Sequence, residues 1–398
     1  MVNKSVTKVP TDQQQNQYSK LIDGQFPSEN VLQTLVNIRD FEIEAKKRIS
    51  KNAWGYYKSG ANYEITLKEN ENAFNRLRLR PRFFNKDVSH VNLQTKVFGQ
   101  KIAFPIGVSP TAMQRMANPI GEIGTARACQ KMGTIYTMST LATWSVEDIG
   151  REAPNGIKWL QLYIYKNREA SLNLVRRAES AGFTALVVTV DLPITGQRYD
   201  DMRNQFVLPE PYKLANLPGD LSVMGDKKDG SGLQNYVSDA FDASLTWKDV
   251  EWFKNQTSLP LIVKGILTAE DAILAVAHGA KGIVVSNHGA RQLDTVPTSI
   301  EVLPEIVRAV GNKAEIFLDG GIRSGTDVLK ALALGAKMVF VGRPAIWGLA
   351  CGGESGVVKV LDLLKKELEI AMALSGCSTL EDVTSALVCR SDSFWSHL

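Results

Sequence analysis

Cysteine, histidine and long apolar runs are all scarce in this sequence of 398 residues. Its four cysteines, Cys129, Cys351, Cys377 and Cys389, form no Cys-x-x-Cys pair. This spacing argues against a zinc ribbon or a thioredoxin-type site and predicts reduced thiols. No apolar run reaches the ~18 residues that a membrane span requires. The N-terminus lacks the apolar core of a secretory signal, and so we expect no secretion.

A large excess of charge of one sign is also absent. The sequence has 46 Lys and Arg residues against 42 Asp and Glu residues, and its formal net charge of +4 is spread along the chain. This balance argues against a nucleic-acid partner and supports only a mild attraction for small anions. Hydrophobic residues make up 44% of the chain, which is enough for a large core.

Both ends of the chain are predicted to lie outside the folded domain, which we expect to span residues 31–379. Residues 1–30 are polar and rich in glutamine, and we interpret them as a disordered extension. Residues 380–398 form a tail that ends in Ser-His-Leu, one residue away from the peroxisomal address Ser-Lys-Leu. The tail therefore predicts binding to the peroxisomal import receptor, with a cytoplasmic location as the alternative.

Eight short apolar runs follow one another in the rest of the chain, as is typical of parallel strands covered on both faces. Helical patterns separate most of them, such as SLNLVRRAESAGF, where Leu172, Val175 and Ala178 share one face. Eight such units predict a single (β/α)8 TIM barrel, with a doubly wound open sheet as the alternative. The runs are IAFPIGVSP, GTIYTMST, KWLQLYIY, ALVVTVD, LPLIVKG, GIVVSN, EIFLDGG and MVFVGR.

A repeated unit supports closure of the barrel. TAEDAILAVAHGAKGIVVSN begins at Thr268, and SGTDVLKALALGAKMVFVGR begins at Ser324. Each unit starts with a hydroxyl residue at a helix N-cap position and ends its helix with a glycine, Gly279 or Gly335. Two equivalent units in succession are typical of a barrel built from repeats.

Two segments do not fit the repeat. Residues 31–82, before the barrel, are predicted to be helical with a turn at KSGAN. The connection between Asp191 and Leu259 is much longer than usual and includes the polar stretch SVMGDKKDGSGLQNY. We predict a long loop after the fourth strand, which would act as a lid or be partly disordered at the carboxyl face of the barrel.

Polar side chains follow every predicted strand. A single polar residue at a strand end is usually structural, but in a TIM barrel these positions converge on one cleft. The informative fact is therefore that each strand supplies at least one. The positions are Ser109, Thr111, Ser139, Gln161, Tyr163, Thr189, Asp191, Lys264, Ser286, Asn287, His288, Asp319, Arg323, Gly342 and Arg343.

The last two strands end in DGGIRSGTD and VGRP. Glycine N–H groups and arginines beside a helix N-terminus form anion-binding nests, and these strands usually carry the phosphate site of the fold. We therefore predict a phosphate site, although the glycines could serve tight turns alone. The residues of this site are Gly320, Gly321, Arg323, Gly342 and Arg343.

Lys264 and His288 are the two reactive candidates. A lysine in the barrel mouth needs an anionic partner, and it could be a Schiff-base amine of an aldolase or face a cofactor that becomes anionic. Asp191, across the barrel, could orient His288, as expected for a general base. Arg198 and Arg291 could bind a carboxylate through paired hydrogen bonds. Because His288 lies at a strand end beside these two arginines, we interpret it as a site residue rather than as a solvent-exposed loop residue.

These motifs resemble those of the FMN-dependent 2-hydroxy-acid oxidase family, which includes glycolate oxidase and lactate oxidase. SNHGARQLD is highly specific to this family. YYKSGA, SPTAMQ, QLYIYK, TVD, VKG, LDGGIRSGTDVLKALALGA and VGRP stand in the family's order. The resemblance covers nearly the whole chain outside the two tails, so it implies an FMN hydroxy-acid dehydrogenase domain over residues 31–379. The glycolate oxidase branch is the most similar.

The resemblance implies the oxidation of a small (S)-2-hydroxy acid by FMN, with dioxygen as the acceptor and hydrogen peroxide as a product. Glycolate, which would give glyoxylate, is the first expectation. L-lactate, a longer 2-hydroxy acid, or electron transfer to a cytochrome or quinone stay open as alternatives. The family also implies a homotetramer.

Individual roles follow from the same resemblance. His288 is the implied base, and Asp191 is its partner. The residues that bind the substrate are Tyr56, Tyr163, Arg198 and Arg291. Those around the flavin ring are Pro110, Thr111, Ser139, Gln161, Thr189, Lys264 and Ser286. Asp319 is implied to hold the ribityl chain. The residues that are implied to hold the phosphate are Gly320, Gly321, Arg323, Gly342 and Arg343.

One position departs from the glycolate oxidase pattern. Leu141 follows Ser139 and Thr140, where glycolate oxidases of this type generally carry tryptophan. A smaller side chain leaves room for a methyl group or a longer tail on the substrate. Such a difference changes discrimination by only ~1–3 kcal/mol, so glycolate stays the first expectation.

Overall fold

The computed structural model describes residues 29–217 and 232–394. The Ser-His-Leu terminus and nearly all of the predicted disordered extension lie outside these ranges, so both stay predictions. The strands in the described ranges are β1 (Leu77–Leu79), β2 (Thr95–Val97), β3 (Gln100–Ile102), β4 (Ile106–Val108), β5 (Ile135–Met138), β6 (Ile157–Leu162), β7 (Ala185–Thr189), β8 (Leu261–Ile266), β9 (Gly282–Val285), β10 (Glu315–Asp319), β11 (Met338–Val341) and β12 (Val388–Arg390).

Strands β4 to β11 form a closed barrel of eight parallel strands. Each strand pairs with the next along the chain, and β11 returns to β4 through the register Phe340↔Gly107. A side chain at Gly107 would meet the Phe340 ring at 2.7 Å, so glycine is needed where the barrel closes. The closure confirms the predicted TIM barrel and rejects the doubly wound open sheet.

Helices alternate with the strands and cover the barrel. The α-helices in the described ranges are α1 (Glu29–Thr34), α2 (Ile38–Arg48), α3 (Lys51–Lys58), α4 (Ile65–Asn75), α5 (Gly121–Met132), α6 (Val146–Glu152), α7 (Arg168–Ser180), α8 (Tyr199–Arg203), α9 (Gly232–Ala240), α10 (Trp247–Lys254), α11 (Ala269–Ala277), α12 (Ser299–Val310), α13 (Gly325–Ala333) and α14 (Arg343–Leu374), which is kinked at Gly352 and Gly353. None of them is long and apolar enough to cross a membrane.

The caps of the repeated unit form as predicted. The Thr268 side chain accepts a hydrogen bond from the Asp271 N–H, and Ser324 forms a reciprocal capping box with Asp327. Gly279 and Gly335 follow helices α11 and α13 with φ of +94° and +103°, a conformation that favours glycine.

Aromatic side chains close the amino end of the barrel. Trp159, Phe317 and Phe340 are buried inside and contact one another, with ring centroids 5.4–5.9 Å apart. Phe98, in the β2–β3 hairpin, packs on this group, and its N–H donates to the carboxylate of Glu315, the first residue of β10. Apolar rings therefore fill the interior of the barrel below the cavity, which Phe340 also lines.

The N-terminal segment is helical up to Asn75, as predicted, but Leu77–Leu79 form strand β1 rather than a continuation of the helical segment. Helices α3 and α4 lie beside the mouth of the barrel. Asp294 fixes the start of α4, since its carboxylate accepts from the N–H groups of Tyr63, Ile65 and Thr66 at 2.8–3.3 Å. Tyr56, on α3, lines the cavity at the mouth, and its backbone oxygen accepts from Arg291.

The connection after β7 is not a structureless loop, because its described parts contain helices α8, α9 and α10. Residues 218–231, between α8 and α9, lie outside the described residues. Near the C-terminus, β12 pairs antiparallel with β1, through Leu77↔Arg390. The predicted domain boundary at residue 379 stays a prediction.

Candidate active site

His288 lies in a left-handed turn directly after β9. His288, Gly289 and Ala290 have φ of +60°, +61° and +61°, and the two residues other than glycine each cost roughly 1–2 kcal/mol in this conformation. The Ser286 hydroxyl accepts from the His288 N–H at 3.1 Å, and the Asn287 side chain accepts from the Ala290 N–H at 3.2 Å. These bonds hold the turn that directs the imidazole over the mouth.

The imidazole of His288 is held at both nitrogens. Nδ1 lies 2.8 Å from Asp191 Oδ1, and Nε2 lies 3.3 Å from the Tyr163 hydroxyl. Burial lowers the pKa of His288 below its ordinary value of 6.5, although Asp191 acts in the opposite direction. Burial opposes ionisation of Asp191, but His288 and Lys264 outweigh it and lower the pKa of this carboxyl. The resting pair is therefore a neutral imidazole beside a carboxylate.

A glycine makes this pair possible. Gly265, in β8, has φ of +106°, and a Cβ there would lie 2.6 Å from the Asp191 side chain. The VKG motif therefore clears space for the carboxylate that holds the histidine.

Two guanidinium groups lie on one side of the mouth. Arg291 donates to the backbone oxygens of Tyr56 and Ser59 at 2.6 and 2.9 Å, and its guanidinium carbon lies 4.8 Å from the centroid of the Tyr56 ring. Arg198 is 5% exposed, and burial together with nearby Arg291 lowers its pKa to about 10. Buried, closely spaced cations of this kind favour an anionic ligand.

Lys264 begins a polar chain along the floor of the mouth. Its ammonium group donates to the Ser286 hydroxyl at 3.0 Å and lies 3.5 Å from the Asp319 carboxylate, which accepts from Ser109 at 3.1 Å. Three buried polar atoms nearby have no hydrogen-bond partner within the described residues: Gln161 Nε2, Thr189 Oγ1 and Asp319 Oδ1. Buried polar atoms are rarely left unpaired, so these three atoms could pair with a polar ligand.

Glycines and arginines border the mouth after β10 and β11. Gly320 and Gly321 have φ of +98° and +85°, and a Cβ at Gly321 would lie 1.9 Å from the backbone oxygen of Asn70. Arg343, the first residue of α14, donates to three backbone oxygens, and burial lowers its pKa to about 9. Arg323 pairs with Glu71 at 2.9 Å. Positive charge beside a helix N-terminus suits a phosphate.

Most of the predicted site residues line one cavity at the mouth. Three do not line it: Asp191 lies behind His288, Ser286 lies between Lys264 and the His288 backbone, and Gln161 accepts from the Thr140 N–H. The predicted residues that line the cavity are Tyr56, Pro110, Thr111, Ser139, Tyr163, Thr189, Arg198, Lys264, His288, Arg291, Asp319, Gly320, Gly321, Arg323, Gly342 and Arg343.

Sequence reasoning missed an apolar wall of the same cavity. Leu192, Leu233, Val237 and Phe241 line it, and all four belong to the connection after β7. Phe241 stacks on Tyr163, with centroids 4.9 Å apart. The i, i+4 spacing of Leu233 and Val237 is the helical signal that could have identified this wall.

Sequence reasoning also assigned no role to Asn70. Its side-chain amide forms reciprocal hydrogen bonds with that of Asn287, at 2.7 and 3.0 Å. Since its backbone oxygen faces Gly321, Asn70 connects the histidine turn to the glycine turn. No sequence motif links residues so far apart along the chain.

Comparison with known proteins agrees with this geometry. The chain matches the model of the FMN-dependent dehydrogenase family over residues 45–390. It is 52% identical to 2-hydroxyacid oxidase 1 of Mus musculus over 361 residues. This match covers 90% of this chain and 97% of that protein. It is 52% identical to glycolate oxidase of Spinacia oleracea over 351 residues. This match covers 88% of this chain and 94% of that protein.

A solved structure is similar as well. A mandelate oxidase with (S)-4-hydroxymandelic acid superposes with a TM-score of 0.84 at 42% sequence identity, covering 88% of this chain and 97% of that one. The family match, the close relatives and the barrel-mouth geometry agree with one another. The chain therefore belongs to the FMN-dependent dehydrogenase family.

Proposed function

We propose that the protein oxidises glycolate to glyoxylate and passes the two electrons to dioxygen, which yields hydrogen peroxide. The observation that carries this proposal is the imidazole of His288, held by Asp191 at 2.8 Å and facing the same cavity as Arg198 and Arg291. A base and two guanidinium groups around one cavity match a substrate that carries both a hydroxyl and a carboxylate.

The residues present fit FMN. The unpaired atoms of Gln161, Thr189 and Asp319 provide hydrogen-bonding groups for a polar ring and a ribityl chain. Lys264 would balance negative charge on the reduced ring. Since the chain belongs to a family of FMN-dependent enzymes, we favour this role over that of the Schiff-base amine of an aldolase. The residues that would hold the ring edge and the phosphate are Pro110, Thr111, Ser139, Gly320, Gly321, Arg323, Gly342 and Arg343. Bound FMN supplies the two-electron redox chemistry that side chains lack.

The side chains would divide the remaining work between them. Arg198 and Arg291 would bind the substrate carboxylate, and the hydroxyls of Tyr56 and Tyr163 would orient the substrate. His288 Nε2 would accept a proton from the substrate, and Asp191 would stabilise the imidazolium that results. Ser286 would support this arrangement indirectly, because it contacts both Lys264 and the His288 backbone.

The pH dependence follows from the pKa of His288. Only the neutral imidazole can accept a proton, so kcat/KM rises as the pH increases through the pKa of His288 in the free enzyme. Burial places that pKa below 6.5, and we expect the midpoint of the acid limb below pH 6.5 with a plateau at neutral pH. A midpoint above pH 6.5 in the kcat/KM profile would contradict the buried, neutral base.

A peroxide assay tests the proposed reaction. Purified protein with bound FMN is given glycolate, L-lactate or 2-hydroxyoctanoate, and hydrogen peroxide is measured against 2-oxo acid formed. We expect equal amounts of the two products and the highest kcat/KM with glycolate. Formation of the 2-oxo acid only with an artificial electron acceptor, and without peroxide, would assign a cytochrome- or quinone-linked dehydrogenase instead.

A longer 2-hydroxy acid is the second candidate substrate. Leu141 lines the cavity and is 5% exposed, and the apolar wall of Leu192, Leu233, Val237 and Phe241 lines the same cavity. These side chains would remove an alkyl or aryl tail from water at about 25 cal/mol per Å². The similar mandelate oxidase was solved with an aromatic 2-hydroxy acid.

Substitution of Leu141 by tryptophan separates the two candidates. The larger side chain should fill the space beside the apolar wall, so kcat/KM for 2-hydroxyoctanoate should fall relative to glycolate by about ten- to a hundredfold. Leu141→Ile, which conserves volume, should leave the ratio nearly unchanged. An unaltered ratio in Leu141→Trp would show that this position does not set the size of the substrate pocket.

We also propose import into peroxisomes and assembly as a homotetramer. The C-terminal Ser-His-Leu supports the first and family resemblance supports the second. A peroxide-producing activity is consistent with a peroxisomal location. Fluorescence microscopy of the tagged protein with and without these three residues would test import.

A further inference from the structure

A carboxylate is buried against one of the two cavity arginines. Asp201, on helix α8, lies 3.3 Å from Arg198, and the side chains of the pair are 4% and 5% exposed. The second carboxylate oxygen of Asp201 has no hydrogen-bond partner among the described residues. Water screens charges this deeply buried only weakly. The negative charge of Asp201 therefore has a large effect on the cavity beside it.

Asp201 is influenced by both arginines. Burial raises the pKa of this carboxyl, while Arg198 and Arg291 both act to lower it. Within the described residues Arg291 forms no ion pair, because its hydrogen bonds go to backbone oxygens. Among Arg198, Arg291 and Asp201, two cations and one resident anion leave one positive charge, while the Asp191 carboxylate behind His288 is influenced by the cationic Lys264.

We propose that Asp201 sets the charge of the carboxylate site to match one carboxylate and thereby selects monoanionic 2-hydroxy acids over small dianions. The proposal rests on the proposed function, in which Arg198 and Arg291 bind the substrate carboxylate. With Asp201 ionised, a monocarboxylate neutralises the site completely. A dianion of similar size would leave an excess negative charge in a buried place.

Electrostatics makes this proposal quantitative. Removal of one negative charge changes the potential in the cavity, and the free energy of binding changes by that potential multiplied by the charge of the ligand. When both charges of a dianion lie at this potential, its affinity gain is the square of the gain of a monoanion. Loss of a merely structural contact would instead weaken both ligands.

The test uses Asp201→Asn, which removes the charge and retains an oxygen that can accept from Arg198. Asp200→Asn is the matched control, because Asp200 lies on the same helix, its side chain is 46% exposed, and it pairs with Arg203 at 3.0 Å. Each protein with bound FMN is titrated with acetate and with oxalate, two-carbon ligands of one and two charges. The visible absorption spectrum of the flavin reports the Kd.

For Asp201→Asn we expect acetate to bind about tenfold and oxalate about a hundredfold more tightly than in the parent protein. Asp200→Asn should match the parent protein. Unchanged affinities in Asp201→Asn, or weaker binding of both ligands, would overturn the proposal.

Two further variants keep the test decisive. If Asp201→Asn fails to fold with FMN, Asp201→Ser removes the same charge and carries the same expectation. Asp201→Glu restores the charge and should return the ratio of oxalate to acetate affinity towards that of the parent protein. Because these titrations need no turnover, a protein inactive towards every 2-hydroxy acid would refute the proposed function without deciding the role of Asp201.

Discussion

Substitution of His288 by alanine should lower kcat by at least about a thousandfold while the protein keeps its FMN. The imidazole faces the cavity through Nε2, whereas the proposed flavin-binding groups lie on β6, β7, β8 and β10 or shortly after β4, β5, β10 and β11. Removal of the ring therefore eliminates the proton acceptor without removing a group that holds the cofactor. Stopped-flow reduction by glycolate, together with the flavin-to-protein absorbance ratio, measures both effects.

His278→Ala is the control for this experiment. His278 lies at the end of α11, pairs with Glu251 at 3.0 Å and does not line the cavity. Its removal should leave kcat within about twofold of the parent value, because a substitution away from the site acts mainly on stability. Undiminished turnover in His288→Ala would eliminate this histidine as the base.

Replacement of Asp191 by asparagine should lower kcat by about a hundred- to ten-thousandfold. The carboxylate lies 2.8 Å from Nδ1 and stabilises the imidazolium that forms when Nε2 accepts a proton. An amide has no charge to offer, and it can also hold the ring in the wrong tautomer. Asp191→Asn should also move the acid limb of the kcat/KM profile to lower pH, because Asp191 raises the pKa of His288.

A double variant distinguishes this role from a general loss of structure. If Asp191 acts through the imidazole, Asp191→Asn adds little to the loss already caused by His288→Ala, since groups that work as a unit are not additive. A double variant whose loss in kcat equals the product of the two single losses would indicate independent roles.

The barrel and the positions of its polar residues followed from local sequence. Continuous apolar runs separated by helical patterns predicted eight parallel strands, and the structure confirms all eight. The residues after those strands were then predictable as one group, because parallel strands in a barrel direct their carboxyl ends to the same face. Lys264, His288 and Asp319 meet at the mouth for this reason alone.

The roles of these residues were less accessible to local sequence. Lys264 could have been a Schiff-base amine, and only the family resemblance favoured a flavin. The substrate likewise stayed open, because Leu141 could be judged only against a tryptophan in relatives. The apolar wall of the cavity could not be predicted either, because its position depends on where the connection after β7 returns to the barrel.

What the sequence determined by itself is therefore the architecture and the polar residues at the ends of the strands, because strand and helix periodicity acts over short distances along the chain. Tertiary structure alone decided which of those residues touch. It placed Asp201 against Arg198, joined Asn70 to Asn287, and brought Leu233, Val237 and Phe241 to the cavity. These contacts depend on packing between segments far apart in sequence or on the orientation of a short helix, and no local pattern encodes either.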